Sequence, residues 1–204
     1  MPSGTPGFTV EPAYRKLGWH ASDTHGLSFA NGRVPADHLL GQRGRGFSQF
    51  LATLDDGRVA ISALAVGLAQ ACLDASLEYA GTRHAFTRPI GVNQGVSFPI
   101  ADLAVAVEAA RLLTYKAAWL RDEQSAGRRG AADVKQAAAI AKLHSSTAAV
   151  DATRLATQVF GGAGFIEEYP VARFYRDAKI LEIGEGTSEV QRMVIARGLG
   201  LPVA

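Results

Sequence analysis

From about Gly46 onward, apolar residues return at every third or fourth position over stretches far longer than any strand, which restricts the chain to a fold built from long helices. The spacing predicts helices over roughly 47–79, 96–124 and 131–160. A broken region follows, with a helix over 171–183, an interruption at Gly184-Glu185-Gly186, and a last helix from Ser188 to about Arg197. In the second segment Leu103, Val107, Ala110, Leu113, Ala117 and Leu120 step by threes and fours and so share one face. The third stops at Gly161-Gly162, because glycine tolerates a positive φ. Ser188-x-x-Gln191 fits a capping box for the last. Long helices with apolar faces and short connections are best satisfied by packing together, so the expected class is mainly α, an antiparallel bundle of the four-helix type.

The first 44 residues have a different texture. They hold four of the eight prolines and two short β-like runs, 7–10 and 26–30, the second followed by the turn signal Asn31-Gly32. Two or three short strands cannot stand alone in water. Residues 1–44 therefore read as a partial β-domain and 45–204 as the helical domain, with the β part a piece of a larger sheet.

Composition narrows the function classes. With 204 residues, 48% hydrophobic and 20% charged, and a formal net charge of +2, the chain has an ordinary soluble composition. Basic residues occur singly or in pairs such as Arg128-Arg129, so nothing marks a nucleic-acid stripe. The longest uncharged run, Val59–Leu73, falls short of the roughly 18–20 residues of a membrane span and reads as a buried helix. Met1-Pro2-Ser3-Gly4 opens no basic-then-apolar leader, and the single Cys72 can form no internal disulfide, so a cytoplasmic location is expected. Cys72 falls on a stripe with Leu64 and Leu68 and reads as a packed core thiol. His20 and His25 lie in a loop without further ligands, so no metal site is expected.

Four stretches carry chemistry-bearing residues. In Ile183-Gly184-Glu185-Gly186-Thr187-Ser188-Glu189 the flanking glycines permit a tight turn that leaves the Glu185 carboxylate uncrowded. Two readings stand: Glu185 complements a helix N-terminus, or it is a general base facing an acidic C–H. Asp55-Asp56-Gly57-Arg58 is either a solvated face with a local ion pair or an inward-facing set that needs partners. Arg83-His84-Ala85-Phe86-Thr87-Arg88, with Gln94, is a polar connection that could hold a pyrophosphate or be an exposed linker. Gln158-x-x-Gly161-Gly162-x-Gly164-Phe165 is glycine-rich but matches neither a P-loop nor a dinucleotide fingerprint.

In this order the stretches resemble the C-terminal half of the acyl-CoA dehydrogenase family, together with Lys16-Leu17-Gly18-Trp19, Arg33-Val34-Pro35, Ala101-Asp102-Leu103 and Tyr175-Arg176-Asp177-Ala178-Lys179. The resemblance covers essentially the whole chain. It implies a helical domain after a middle β-domain, FAD as cofactor, and oxidation of an acyl-CoA thioester to the trans-2-enoyl-CoA. It further implies that Glu185 is the base and that Asp55, Arg58 and Gly186 contact substrate. Arg83, Phe86, Gln94, Gln158, Gly161 and Gly162 would touch the FAD of a neighbouring subunit, while Thr187 and Glu189 would touch the chain's own.

A minority of the family places the base immediately before the arginine of the Asp-x-x-Arg motif; here that position is Gly57. Gly184 stands where an aromatic residue often precedes the base, and Ala85 lacks a hydroxyl that some relatives use. The resemblance also implies a homo-oligomer, dimer or tetramer, with electron-transferring flavoprotein as the electron acceptor. It leads to the expectation of a further N-terminal half, in a longer chain or separately encoded. The rival reading is a non-catalytic helical oligomerisation module that binds no FAD.

Overall fold

A computed structural model describes residues 1–128 and 130–203, with the side chains of 131 and 132 left aside; Arg129 of the Arg128-Arg129 pair thus lies outside the described residues. The chain forms two compact units, Met1–Thr53 and Leu54–Ala204.

In the first unit, β1 (Phe8–Ala13) pairs antiparallel with β2 (His25–Phe29). Register is set where Phe8 lies opposite Phe29, their rings stacked at 5.3 Å. Gly7 has φ +78, and a Cβ there would fall 2.2 Å from the Ala30 carbonyl oxygen, so the strand entry requires glycine. The connection between the strands is tied down by Lys16, whose ammonium donates to the carbonyls of Trp19 and Ser22 and to the Thr24 hydroxyl. Both histidine rings bond backbone carbonyls locally, His20 to Lys16 and His25 to Glu11. Val10, Leu27 and Phe29 remain exposed on this two-stranded sheet.

Helix α1 (Gly46–Thr82) begins in the first unit and continues through the second; its residues 46–53 are all exposed, so the division falls inside the helix. A short hairpin of β3 (His84–Ala85) and β4 (Arg88–Pro89) leads into α2 (Gln94–Ser125). Then come α3 (Ala131–Phe160), a 3-10 turn over Gly161–Phe165, α4 (Pro170–Ile183) and α5 (Ser188–Gly198). The class is mainly α, as the periodicity predicts.

Helix α3 is the hub. It packs against α2, α4 and α5 and meets α1 through the core set Val66, Ala110 and Ala148. Its buried face is rich in alanine, including Ala138, Ala141, Ala149, Ala152 and Ala156, which lets neighbouring helices approach closely. Buried hydroxyls on it are satisfied by the helix itself, as when Ser145 donates to the Ala141 carbonyl at 2.6 Å. At the far end, Tyr79 of α1 stacks on Phe160 of α3 at 4.0 Å, and Tyr169 meets Phe160 edge-on at 5.7 Å.

Three local expectations need correction. On α2, Thr114 rather than Leu113 completes the buried face, its hydroxyl donating to the Ala110 carbonyl. The seam follows 100, 103, 107, 110, 114, 117, and the helical self-bond removes the cost of burying a hydroxyl. On α1, Cys72 is fully buried, but on the stripe Ser62, Ala65, Ala69, Cys72, Ser76, while Leu64 is exposed. Small residues face the close helix contact and the larger leucine is turned outward. By length and composition alone α1 is apolar enough to cross a membrane; its small-residue stripe is packed in the bundle instead. Third, Thr187 and not Ser188 caps α5: its side-chain oxygen accepts from the Val190 amide at 3.4 Å, and the Gln191 side chain is engaged elsewhere.

Two stability predictions arise here. Burial pushes the Cys72 thiol from its ordinary 9.0 up to about 12. The thiol is neutral in both folded and unfolded chains below pH 9. Above that only the unfolded chain ionises, so this contribution to stability falls as pH rises from about 9 towards 12. A disulfide-exchange reagent at pH 8 should label Cys72 only after denaturant is added; rapid labelling of the native protein would refute this burial. Gly164 is buried, and a Cβ there would sit 2.5 Å from the Thr157 carbonyl oxygen. Because that neighbour is backbone, Gly164→Ala should lower stability by about 1–3 kcal/mol, read as a lower urea midpoint at unchanged slope.

Candidate active site

The site is organised by the loop that joins α4 to α5. Helix α4 ends where the Gly184 amide closes on the Ile180 carbonyl at 2.8 Å. The next two residues both adopt positive φ, Glu185 at +55 and Gly186 at +87. Gly186 has no substitute: besides its φ, a Cβ would lie 2.9 Å from the Gln191 Nε2 and 3.2 Å from Val190 Cγ1. A glutamate in left-handed backbone is uncommon and costs on the order of 1 kcal/mol or more, so surrounding contacts must hold it there.

Those contacts are visible. Gln191, fully buried on α5, donates from Nε2 to the Glu185 carbonyl at 3.2 Å and to the Gly186 carbonyl at 2.8 Å. Lys142, fully buried on α3, donates from Nζ to the same Gly186 carbonyl at 2.8 Å. Burial lowers the Lys142 pKa; the carboxylates of Glu182, Glu185 and Glu189 oppose that shift and Arg58 adds to it. Neither polar grip was expected from the sequence. A signal for Lys142 was available: a lone cation flanked by Ala138, Ala139 and Ala141 on an apolar stripe must find a buried partner.

The turn aims the Glu185 carboxylate at α1. A Cβ built on Gly57 would lie 2.2 Å from Glu185 Oε2 and 2.6 Å from Cδ, so the carboxylate occupies the space that any side chain at 57 would take. One residue further, Arg58 is buried and ion-pairs with Asp55 on its own helix turn, while Asp56 points outward to Arg121 at 2.6 Å. The motif is thus divided, with Asp55 and Arg58 inward and Asp56 solvated. Among the described residues, buried side-chain atoms without a hydrogen-bond partner are Arg58 Nε, Ser188 Oγ, Gln191 Oε1 and, away from this loop, Ser76 Oγ. Three of the four therefore belong to the loop or to residues around it. On α5, the Glu189 carboxylate is held below its ordinary pKa by its own backbone amide and the Thr187 hydroxyl.

The remaining candidates form a second cluster. Phe86 and Thr87 turn the β3–β4 hairpin with φ +51 and +72, leaving the Phe86 ring 95% exposed at its tip. Gln94 begins α2. Gln158 lines a cleft of about 850 Å³ with Arg154, Tyr175 and Arg176. Gly161 (φ +58) ends α3, and a Cβ on Gly161 or Gly162 would meet no other atom, so backbone there is open to close approach by a ligand. The Tyr79–Phe160 stack brings the ends of α1 and α3 together, so the hairpin and the glycine turn share one end of the bundle. Between Gly57 and Thr82, α1 rises by about 38 Å at 1.5 Å per residue. That is far beyond one ligand pocket, on the order of 10 Å across. The candidate residues thus fall into two separated groups on one chain.

Fold and site define a helical domain that presents a glycine-flanked carboxylate across a helix groove. Residues 44–200 match the family model described as "Acyl-CoA dehydrogenase, C-terminal domain", and the chain belongs to the acyl-CoA dehydrogenase family. It is 48% identical over 199 residues to the probable acyl-CoA dehydrogenase YngJ of Bacillus subtilis, covering 98% of this chain and 50% of that protein. Butyryl-CoA dehydrogenase from Megasphaera elsdenii superposes with a TM-score of 0.90 at 44% identity, covering 98% of this chain and 50% of that one. PigA, solved with FAD and proline, superposes with a TM-score of 0.91 at 30% identity over 100% of this chain and 51% of its own. The chain spans about half the length of the curated relatives it matches.

Proposed function

We propose that this chain is the catalytic C-terminal portion of an FAD-dependent acyl-CoA dehydrogenase, with Glu185 as the base. The observation that carries the reading is the seating of the Glu185 carboxylate against the side-chain-free surface of Gly57. A base must reach an acidic C–H without competing bulk, and strained backbone held by buried donors is the kind of investment expected where chemistry fixes geometry.

In this reading Glu185 removes the proton α to the thioester carbonyl. FAD, when bound, supplies the acceptor for the β-hydride. Arg58, Asp55 and the Gly186 backbone line the acyl-CoA side. Thr187 and Glu189, at the start of α5, face the chain's own cofactor. Arg83, Phe86, Gln94, Gln158, Gly161 and Gly162 lie at the other end of the bundle and serve the cofactor of a second copy, a division supported by the length of α1 between the two groups. A homo-oligomer follows from that division, and electron-transferring flavoprotein is the proposed acceptor.

The test is spectroscopic. The flavin-loaded protein carrying this chain should be yellow and should bleach anaerobically on adding an acyl-CoA with a β-hydrogen. A colourless oligomer that takes up no FAD overturns this reading in favour of a non-catalytic association module.

A further inference from the structure

We propose that Lys142 and Gln191 are positioning residues that clamp the Gly186 carbonyl and thereby fix the direction in which the Glu185 carboxylate points. The inference rests on the reading of Glu185 as the base and adds a device which that reading does not contain. Two fully buried side chains from different helices, α3 and α5, converge on one oxygen at 2.8 Å each, and Gln191 also holds the Glu185 carbonyl. The carbonyl they share belongs to the peptide that leaves Gly186 for Thr187, directly after two consecutive residues of positive φ, and the peptide between those two is held through the Glu185 carbonyl by Gln191. Relaxation of that pair would swing the Glu185 side chain away from Gly57. A carbonyl at a loop between helices is ordinarily satisfied by water or by a single amide, and burying an ammonium for this purpose is expensive. Lys142 offsets part of that cost through the surrounding charges: Glu182 on α4, Glu185 on the loop and Glu189 on α5 attract it, whereas Arg58 on α1 opposes it.

The two side chains are tested separately. Lys142→Met removes both the hydrogen bond and the charge; Gln191→Met removes hydrogen bonds alone. In the flavin-loaded protein carrying this chain, both variants should lower the rate of flavin bleaching at saturating acyl-CoA by 10-fold or more, with KM changed less than 3-fold. Lys142→Arg, which keeps a cationic donor at this position, should restore the bleaching rate at least in part. Independently of turnover, amide hydrogen exchange of the 184–191 segment should accelerate at least 5-fold in both methionine variants, with α2 unchanged. Should Lys142→Met fold poorly, Gln191→Met alone must still show the local exchange change and the rate loss. The clamp is refuted if exchange of 184–191 and the bleaching rate match wild type while Glu185→Gln in the same protein abolishes bleaching. If Glu185→Gln bleaches normally, it is the assignment of the base that fails.

Discussion

Replacing Glu185 by Gln in the flavin-loaded protein should slow bleaching by acyl-CoA by about 10²–10⁴-fold, the usual contribution of a positioned general base. The substitution keeps size and hydrogen-bonding capacity but removes the proton acceptor. Its backbone strain, φ +55 at residue 185, is held by Gln191 and, through Gly186, by Lys142, whose hydrogen bonds go to backbone carbonyls and not to the carboxylate. The loop should therefore keep its shape, and acyl-CoA binding, followed by the shift in flavin absorbance on titration, should change little. A loss confined to the chemical step marks an interaction made in the transition state, whereas a matched loss of binding would point to a damaged loop. Bleaching within a factor of two of wild type would sink the assignment.

The second large effect is expected at Gly57, a residue with no side chain and no chemistry of its own. A methyl group there would overlap the Glu185 carboxylate, at 2.2 Å from Oε2 and 2.6 Å from Cδ. The nearest atoms belong to the end of a flexible side chain, so Gly57→Ala should fold. Within helix α1, alanine is also favoured over glycine by roughly 1 kcal/mol, so the thermal midpoint should hold or rise. The carboxylate must instead rotate, and a displacement on the order of 1 Å from a near-attack position costs about 10²-fold in rate. A variant that is equally or more stable yet about 10–100-fold slower is the expected pairing. If Gly57→Ala turned over at the wild-type rate, the contact between position 57 and the carboxylate would have no bearing on catalysis.

The long helices were legible because each leaves a period in the sequence: α3 runs from Ala131 to Phe160 where the pattern places it, and α2 extends two residues upstream and one downstream of its pattern. Glycine and glutamate at 184–186 likewise mark an interruption with an uncrowded carboxylate. The pattern misleads where side chains of similar character compete for one position. Leu64 and Leu113 lost core places to smaller or self-satisfied residues because helix–helix distance decides what fits, and distance has no signature along one helix. The capping box at Ser188 failed by a single residue, because Gln191 was drawn to carbonyls of the preceding loop rather than to the helix start.

The sequence alone determined the class of fold, the order of its helices and the residue types available for chemistry, because periodicity and glycine placement act over a few neighbouring residues. Only the tertiary structure decided which of those residues meet. The approach of Glu185 to Gly57 spans 128 positions, and that of Lys142 to Gly186 spans 44. Contacts of that separation are set by how α1, α3 and α5 pack, where burial turns a lone lysine from a surface charge into a clamp and a missing side chain into the space a carboxylate needs.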